Sequence, residues 1–322
     1  MTGPLVNRPD IRLAMLGMVE GNGHPYSWSA IFNGYEPEAM ARCPYPGIVQ
    51  YLAKEPADAF GIPGARVTHI WTDEPEDAIR VSRAARIPHV VQAPEDVIGH
   101  VDAVLIATDI GSEHVARCRP FVEAGVPVFV DKPLADNAAD LRQFESWLAD
   151  GRPILSSSCM RYAKEFLPYR LSTSSLGALR FATMTMAKSW KRYGIHALEG
   201  LYPILGSGFR TVRNTGAPGR DIVHLTHDGG ADIVIATVTD MAGAFGHLQL
   251  CGTDAAVHVP FQDTFYAFKA QLAAFVDYLR TGRRPFPHDE TRELVTMVIA
   301  GLQSREQDGR VVRLDELQVT SR

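Results

Sequence analysis

Short apolar runs alternate with segments of mixed polarity along the first half of the chain. The runs predict buried strands, because aliphatic side chains fill both faces of a parallel sheet. The predicted strands are Ile11–Leu16, Arg66–Thr72, His89–Gln92, Ala103–Ala107, Val126–Val130 and Pro153–Ser156. The predicted helices are Asp77–Arg86, Glu113–Ala124 and one from Asn137 or Asp140 through Leu148. This alternation predicts an α/β domain with a doubly wound parallel sheet.

The pattern changes after about residue 155, where strand-like runs follow one another with glycine-containing turns between them. The predicted strands are Ala178–Lys188, Asp221–Thr226, Asp232–Thr239, Phe245–Cys251 and Ala255–Val259. Two helices, Phe265–Thr281 and Glu290–Gln307, close the chain. Successive strands followed by helices favour an α+β domain with a mostly antiparallel sheet. We therefore expect two domains, over residues 1–154 and 155–322.

Composition is typical of a soluble globular protein, with 322 residues of which 46% are hydrophobic and 21% charged. The net charge of −5 gives no electrostatic argument for a nucleic acid or an anionic membrane as partner. We expect a cytoplasmic protein, because the first ten residues lack an apolar leader segment and no apolar run reaches membrane-spanning length. The cysteines lie far apart without a CxxC pair, as in reduced intracellular proteins. They are Cys43, Cys118, Cys159 and Cys251.

The first strand leads into a glycine-containing loop, Gly17 to Ser27, and then a helix. A strand that ends in glycine before a helix N-terminus is the geometry that binds a pyrophosphate. The loop is longer than G-x-G-x-x-G, and Glu20 would repel phosphate if it faced inward, so a plain strand-to-helix turn is an equally good interpretation. Ser27 or Ser29 is expected to cap the helix. The predicted cofactor contacts in the loop are Gly17, Gly21 and Gly23.

Asp73 follows the second predicted strand. An acid at this position accepts hydrogen bonds from the adenosine ribose hydroxyls of a dinucleotide. Its separation from Gly17 exceeds the usual ~20 residues, which an insertion around residues 33–65, rich in proline and glycine, accounts for. The alternative is that Asp73 caps the next helix. Because Glu74 follows and no arginine is adjacent, a 2′-phosphate would be unwelcome, and NAD is favoured over NADP.

The apolar run Val126–Val130 ends in Asp131, Lys132 and Pro133. The proline ends the strand and favours extended geometry at Lys132, which places the lysine at the carboxyl edge of the sheet. Ligands of open α/β sheets bind at that edge. A lysine there can donate a hydrogen bond to a substrate hydroxyl and help to move its proton. In isolation such a tripeptide is more often a surface turn, so its meaning depends on the rest of the chain.

Taken in order, these features resemble the Gfo/Idh/MocA family of NAD(P)-dependent oxidoreductases, which act mostly on sugars, inositols and related polyols. The resemblance covers essentially the whole chain and is most specific from Asp102 to Leu134, where strand, helix, glycine stop and Lys-Pro follow in the family's order. The other matching residues are Asp73 with Pro75, Arg161, Gly194-Ile195-His196 with Glu199, and Phe275–Leu279 before Thr281-Gly282-Arg283.

The resemblance implies roles for individual residues. Lys132 would contact the reacting hydroxyl, and His196 would work with it as general acid/base or substrate ligand, so these two are the implied catalytic residues. The implied cofactor contacts, besides the loop glycines, are Asp73, Thr108, His114, Asp131, Lys132 and Pro133. The implied substrate contacts are Arg161, Tyr193, His196 and Glu199. The remaining histidines show no pairing at metal-ligand spacing, so no metal is expected.

The chain departs from the family pattern near the implied histidine. Arg192 stands four residues before His196, where the family has an acid, and Glu199 stands three residues after it, where Asp is usual. Asp109 follows Thr108 in place of the family's proline. The missing acid weakens a simple proton relay, for which Tyr193 or Glu199 could substitute.

The sequence therefore predicts an NAD-dependent oxidoreductase that transfers a hydride between nicotinamide and a secondary hydroxyl or ketone of a sugar, inositol or related polyol. Two alternatives stay open. One is an NAD-dependent glycosidase of the same architecture that oxidises its substrate transiently, and the other is a catalytically inactive, NAD-binding regulatory subunit. A homodimer or homotetramer is expected, because a large second-domain sheet would leave a face to cover.

Overall fold

The computed structural model describes residues 3–317, which form two compact units. The first unit comprises the chain up to Asp131 with Arg142–Ser156 and Phe268–Pro285. The second comprises Lys132–Leu141, Ser157–Ala267 and the chain from Phe286 on. Each unit is thus assembled from separated segments, and the division into domains at residue 155 stays a prediction. No helix among residues 3–317 is long and apolar enough to cross a membrane.

The first unit is built on a six-stranded parallel sheet. Its strands are β1 (Ile11–Leu16), β2 (Ala65–Trp71), β3 (His89–Val90), β4 (Ala103–Ile106), β5 (Val128–Val130) and β6 (Ile154–Ser156). The spatial order is β3-β2-β1-β4-β5-β6, and each neighbouring pair is parallel. The doubly wound parallel sheet is confirmed. Chain order reverses between β1 and β4, which is the switch point where such folds bind ligands.

The helices between these strands are α1 (His24–Asn33), α2 (Pro37–Met40), α3 (Pro46–Leu52), α4 (Pro75–Ala84), α5 (His114–Glu123) and α6 (Ala138–Ala149). The expected serine cap of α1 is wrong. Gly23 is the N-cap residue, and the buried Ser27 and Ser29 lie inside the helix. Pro25 explains the earlier start, because its fixed φ and missing N–H suit the first helical turn. The segment expected to be an insertion holds α2 and α3.

Aromatic side chains hold one face of the first sheet. Trp28 of α1 meets Phe129 of β5 edge to face, with ring centroids 5.6 Å apart. The ring centroid of Phe275, in helix α9 (Thr264–Thr281), lies 5.3 Å from that of Phe129. Trp28, Phe129 and Phe275 are all less than 2% exposed. Burial of about 150–250 Å² for each ring makes this a main source of hydrophobic stabilisation.

The second unit is built on a seven-stranded sheet. Its strands are β7 (Leu179–Ala187), β8 (Phe209–Asn214), β9 (Arg220–His227), β10 (Asp232–Val238), β11 (Phe245–Gly252), β12 (Ala256–Val259) and β13 (Val312–Arg313). The order is β12-β11-β7-β10-β9-β8-β13. β7 and β10 run parallel and each other neighbouring pair is antiparallel, which confirms the mostly antiparallel sheet. β8 escaped prediction because the exposed Arg210 and Arg213 interrupt its apolar positions.

Helices α7 (Leu167–Leu171), α8 (Ile195–Leu205) and α10 (His288–Glu306) belong to the second unit. A single π-helical turn, Trp190–Gly194, joins β7 to α8. Trp190 is 1% exposed and its indole Nε1 donates to the Val298 carbonyl of α10 at 2.9 Å. Gly301 leaves room for the indole, since a Cβ there would lie 2.2 Å from Nε1. This turn sets where α8, which carries His196, begins.

Candidate active site

The loop after β1 approaches the end of β4 at the switch point. Gly17 has φ +85°, and a Cβ at this position would lie 2.7 Å from Thr108 Cγ2. A side chain is therefore excluded on both conformational and steric grounds. The next backbone N–H, of Met18, donates to the Asp73 carboxylate at 3.0 Å. Glu20 and Gly21 form an exposed turn at the tip of the loop.

A cavity of about 230 Å³ lies beside this loop at the carboxyl ends of β1, β2 and β4. Its walls are mostly apolar, with charge supplied by two side chains, so a flat heterocycle fits better than a strongly charged group. The lining residues include Gly17, Trp71, Glu95, Ile106, Arg117 and Phe121. All of them belong to the first unit.

Asp73 is placed at the end of β2 and one residue before the N-cap of α4, which is Glu74. Asp73 therefore does not cap the helix. No arginine is adjacent to Asp73 in the sequence, but in space Arg117 Nη2 of α5 lies 2.7 Å from Asp73 Oδ1. Their sequence separation of 44 residues hides this pair from sequence reasoning. Arg117 also donates to Glu113, one turn earlier on the same helix.

Thr108 closes β4 at the point where the loop meets the sheet. Its hydroxyl Oγ1 is buried and has no hydrogen-bond partner among the described residues. A buried hydroxyl in this state is costly unless a ligand satisfies it. His114, the first residue of α5, donates from Nε2 to the Thr108 carbonyl at 2.9 Å and fixes the loop between them. The roles of Thr108 and His114 as cofactor contacts stay predictions.

Asn22 of the glycine loop and His24, the first residue of α1, bind the end of β5, and sequence reasoning missed both. His24 Nδ1 lies 2.6 Å from Asp131 Oδ2, and Asn22 Nδ2 donates to the same oxygen at 3.0 Å. Asn22 also donates to the Ala107 carbonyl after β4. The His24 ring stacks on Trp28 with centroids 4.5 Å apart. The loop is thus tied to β4 and β5 by side chains that a glycine-spacing motif does not contain.

Lys132 opens the second unit, and its bond to Pro133 is a cis peptide. The lysine is 2% exposed, and its Nζ lies 5.1 Å from the centroid of the Tyr193 ring. Tyr193 also contacts His196, with ring centroids 4.7 Å apart in an edge-to-face arrangement. Phe245 of β11 packs on both rings, 6.2 Å from Tyr193 and 4.9 Å from His196. The structure thus brings Lys132, Tyr193 and His196 together.

A serine fixes the imidazole of His196. Ser158 Oγ lies 2.6 Å from His196 Nδ1 and accepts a hydrogen bond from the Met160 N–H. Among the described residues, Nδ1 is the acceptor within reach of the serine hydroxyl proton, so we assign that proton to Nδ1. The assigned neutral tautomer carries its own proton on Nε2. The serine was not identified from the sequence, because it lies 38 residues from the histidine without a recognisable motif.

Glu199 and Arg161 form a buried ion pair one turn after His196. Arg161 Nε donates to Glu199, its Nη1 donates to Glu290 at 2.6 Å, and its guanidinium lies 4.0 Å from the Phe286 ring centroid. Glu199 also accepts from the Ser158 N–H at 3.2 Å. Burial raises the pKa of the Glu199 carboxyl, and Arg161 offsets only part of this effect. These contacts position Ser158, and the substrate roles of Arg161 and Glu199 stay predictions.

The region of Arg192 is rich in cations. Lys188, at the end of β7, has φ +61° and places its Nζ 4.3 Å from the Tyr193 ring centroid. Lys191 pairs with Asp136 at 3.2 Å. Arg192 itself is partly buried in the π-helical turn. The neighbourhood of Tyr193 therefore differs from the acidic one that the family pattern implies.

The model of the Gfo/Idh/MocA family, described as an oxidoreductase family with an NAD-binding Rossmann fold, matches residues 50–150. The matched segment is about a third of the chain and holds the end of the first unit's second strand as well as Lys132. Inositol 2-dehydrogenase 1 of Saccharopolyspora erythraea is 38% identical over 105 residues. That match covers 31% of this chain and 31% of the relative.

Solved structures share the fold of nearly the whole chain. A probable dehydrogenase from Thermotoga maritima has a TM-score of 0.74 at 14% identity, covering 95% of this chain and 100% of its own. Scyllo-inositol dehydrogenase from Lactobacillus casei, with bound NAD(H) and scyllo-inositol, has a TM-score of 0.73 at 12% identity, covering 95% and 99%. These likenesses concern the fold.

NAD is the cofactor that the description of the matched family model names. The first unit fits it on two observations of the structure. The buried Thr108 hydroxyl lacks a partner among the described residues, and the absence of a side chain at Gly17 lets the loop backbone lie close to Thr108. Asp73 would supply the carboxylate for the ribose hydroxyls. Gly17, Asp73 and Thr108 are therefore the residues that would hold the dinucleotide.

Proposed function

We propose that this protein is an NAD-dependent dehydrogenase that acts on a secondary hydroxyl, or the corresponding ketone, of a sugar, inositol or related polyol. The observation that carries the proposal is the cluster of Lys132, Tyr193 and His196 in the second unit. Together with Phe245, which packs on Tyr193 and His196, this cluster combines a buried amine, an imidazole and two aromatic rings. Aromatic faces pack on the C–H faces of ring polyols, while the nitrogens serve their hydroxyls.

The chemistry that NAD supplies when bound is the acceptance of a hydride from the carbinol carbon. In the proposed reaction, the unprotonated Lys132 Nζ accepts the proton of the reacting hydroxyl. His196 donates from Nε2 to a substrate oxygen and stabilises the negative charge that develops as the hydride leaves. Ser158 keeps His196 in the tautomer that this donation requires. In the reverse direction the Lys132 ammonium returns the proton to the ketone oxygen.

The named relatives support the substrate class. The relative with 38% identity is an inositol 2-dehydrogenase, and a fold neighbour holds scyllo-inositol with NAD(H). The segment shared with the inositol dehydrogenase covers 31% of this chain, so the substrate is proposed and not transferred. Tyr193, Phe245 and the nearby Phe261, whose centroid lies 5.3 Å from that of Phe245, favour a ring substrate.

The test is a panel of inositols, sugars and glycosides incubated with the purified protein and NAD, with NADH absorbance and product followed together. Stoichiometric NADH is expected with at least one polyol. Lys132→Met is expected to lower kcat about 100-fold or more, whereas Lys54→Met, at an exposed lysine of the first unit, leaves it unchanged.

Three results would contradict the proposal. Release of an aglycone without NADH accumulation would indicate the glycosidase alternative. NAD binding without turnover of any compound would indicate the regulatory subunit. If the folded Lys132→Met variant keeps its activity within a few-fold of wild type, Lys132 is not the group that accepts the proton.

A further inference from the structure

Arg117 occupies an unusual position beside the acid that recognises the ribose. Its Nη2 donates to Asp73 Oδ1 at 2.7 Å and to Glu113 Oε2 at 2.8 Å, and its Nε donates to Glu113 at 2.9 Å. The side chain is 19% exposed, and Arg117 lines the cavity at the switch point. A Cβ on Gly17 would lie 3.2 Å from Arg117 Nη1, so the guanidinium also faces the glycine loop.

The charges around this guanidinium sum to a negative value. Asp73 and Glu113 contribute two carboxylates against one cation, and Glu95 adds a third carboxylate to the cavity wall. Burial alone would lower the pKa of Arg117, but its hydrogen bonds to Asp73 and Glu113 outweigh burial and raise the pKa. The arginine therefore stays charged, and its Nε and Nη2 already donate hydrogen bonds to the two carboxylates.

The two nicotinamide cofactors differ at this place in the ribose. NADP carries a 2′-phosphate, for which arginine is the usual protein ligand, whereas NAD carries a hydroxyl that an aspartate accepts. This chain places both residue types together. The ribose 2′-hydroxyl of NAD needs the Asp73 carboxylate oxygens as acceptors. A 2′-phosphate would need Arg117 Nε and Nη2 as donors, and these already donate to Asp73 and Glu113.

We propose that Arg117 determines the choice of cofactor. While Asp73 and Glu113 hold it, Arg117 positions the Asp73 carboxylate for the ribose of NAD. Once both carboxylates are neutralised, Arg117 becomes the ligand of the 2′-phosphate of NADP. The preference for NAD is then a property of three side chains, one after β2 and two at the start of α5, and not of Asp73 alone. This inference concerns the cofactor and does not depend on the proposed substrate.

The test measures dissociation constants of NAD and NADP for the full-length protein by calorimetry, with the fluorescence of Trp71 in the cavity wall as a second readout. The wild type is expected to bind NAD more tightly than NADP. Asp73→Asn combined with Glu113→Gln is expected to tighten NADP binding by about tenfold or more, the effect of one charge-assisted hydrogen bond, and to weaken NAD binding.

Adding Arg117→Gln to that double variant is expected to abolish the gain. Arg119→Gln is the matched control, since Arg119 lies on the same helix and pairs with Glu123. The single Asp73→Asn variant gives a smaller gain of the same sign if the double variant does not fold. The proposal is overturned if the NADP gain survives Arg117→Gln, if folded double and single variants show no gain, or if the wild type binds both cofactors equally.

Discussion

At the residue scale, the orientation of His196 depends on a short chain of hydrogen bonds. The Met160 N–H donates to Ser158 Oγ, which donates to His196 Nδ1, while the Ser158 N–H is held by Glu199. Arg161 and Glu290 fix Glu199 from the other side. A buried network of this kind sets one ring orientation and one tautomer.

Ser158→Ala tests this chain of hydrogen bonds. The variant leaves His196 Nδ1 without its donor and frees the ring to change tautomer, so kcat is expected to fall about tenfold or more while KM changes little. Ser158→Thr keeps the hydroxyl and is expected to recover most of the activity. Steady-state kinetics on the best polyol separate the two parameters. Equal loss in Ala and Thr variants would assign the effect to packing.

At the element scale, the loop between β1 and α1 replaces a compact glycine motif with a longer, cross-linked one. Gly17 lets the loop approach Thr108 closely, and Asn22 of the loop and His24 at the start of α1 bind the ends of β4 and β5. The helix α1 that follows is buried over most of its length, which holds the loop against the sheet. The element therefore depends on packing as much as on glycine.

Gly17→Ala is expected to weaken NAD binding at least tenfold without unfolding the protein. A Cβ would collide with Thr108 and shift the loop, in addition to the backbone strain of about 1–2 kcal/mol. Gly99→Ala separates the two effects, because Gly99 has the same φ of +85° while the space that its Cβ would occupy is open, with nothing within 4 Å. It should lose stability in a thermal melt but keep NAD affinity by calorimetry. Equal affinity losses would contradict a role for the Thr108 contact.

At the scale of the whole molecule, acid stability depends on carboxylates that the fold pairs. Asp102, just before β4, accepts from the Arg12 backbone N–H of β1 at 2.8 Å and from its guanidinium at 3.2 Å. Burial would raise the pKa of Asp102, but the hydrogen bonds from Arg12 outweigh it and hold the pKa below its usual value. The pair joins the amino-terminal ends of two central strands, so its loss affects the sheet as a unit.

A carboxyl with a lowered folded-state pKa stabilises the fold above its unfolded pKa of about 4 and loses that contribution as pH falls through the folded value. Asp102→Asn is therefore expected to cost about 1–3 kcal/mol at pH 7, and the difference from wild type should shrink below about pH 4. Urea unfolding at several pH values measures this. Asp58→Asn, at an exposed aspartate, is the control. A difference independent of pH would contradict the charge argument.

The sequence by itself determined the alternation of strands and helices and the mostly antiparallel sheet of the second half. It also determined that Asp73 and Lys132 follow the carboxyl ends of strands. These follow from local periodicity and from the rule that parallel strands present their carboxyl ends to ligands. Only the tertiary structure brought Arg117 to Asp73 and Ser158 to His196. Such pairs join residues tens of positions apart, and their choice depends on which elements pack together, which no local pattern encodes.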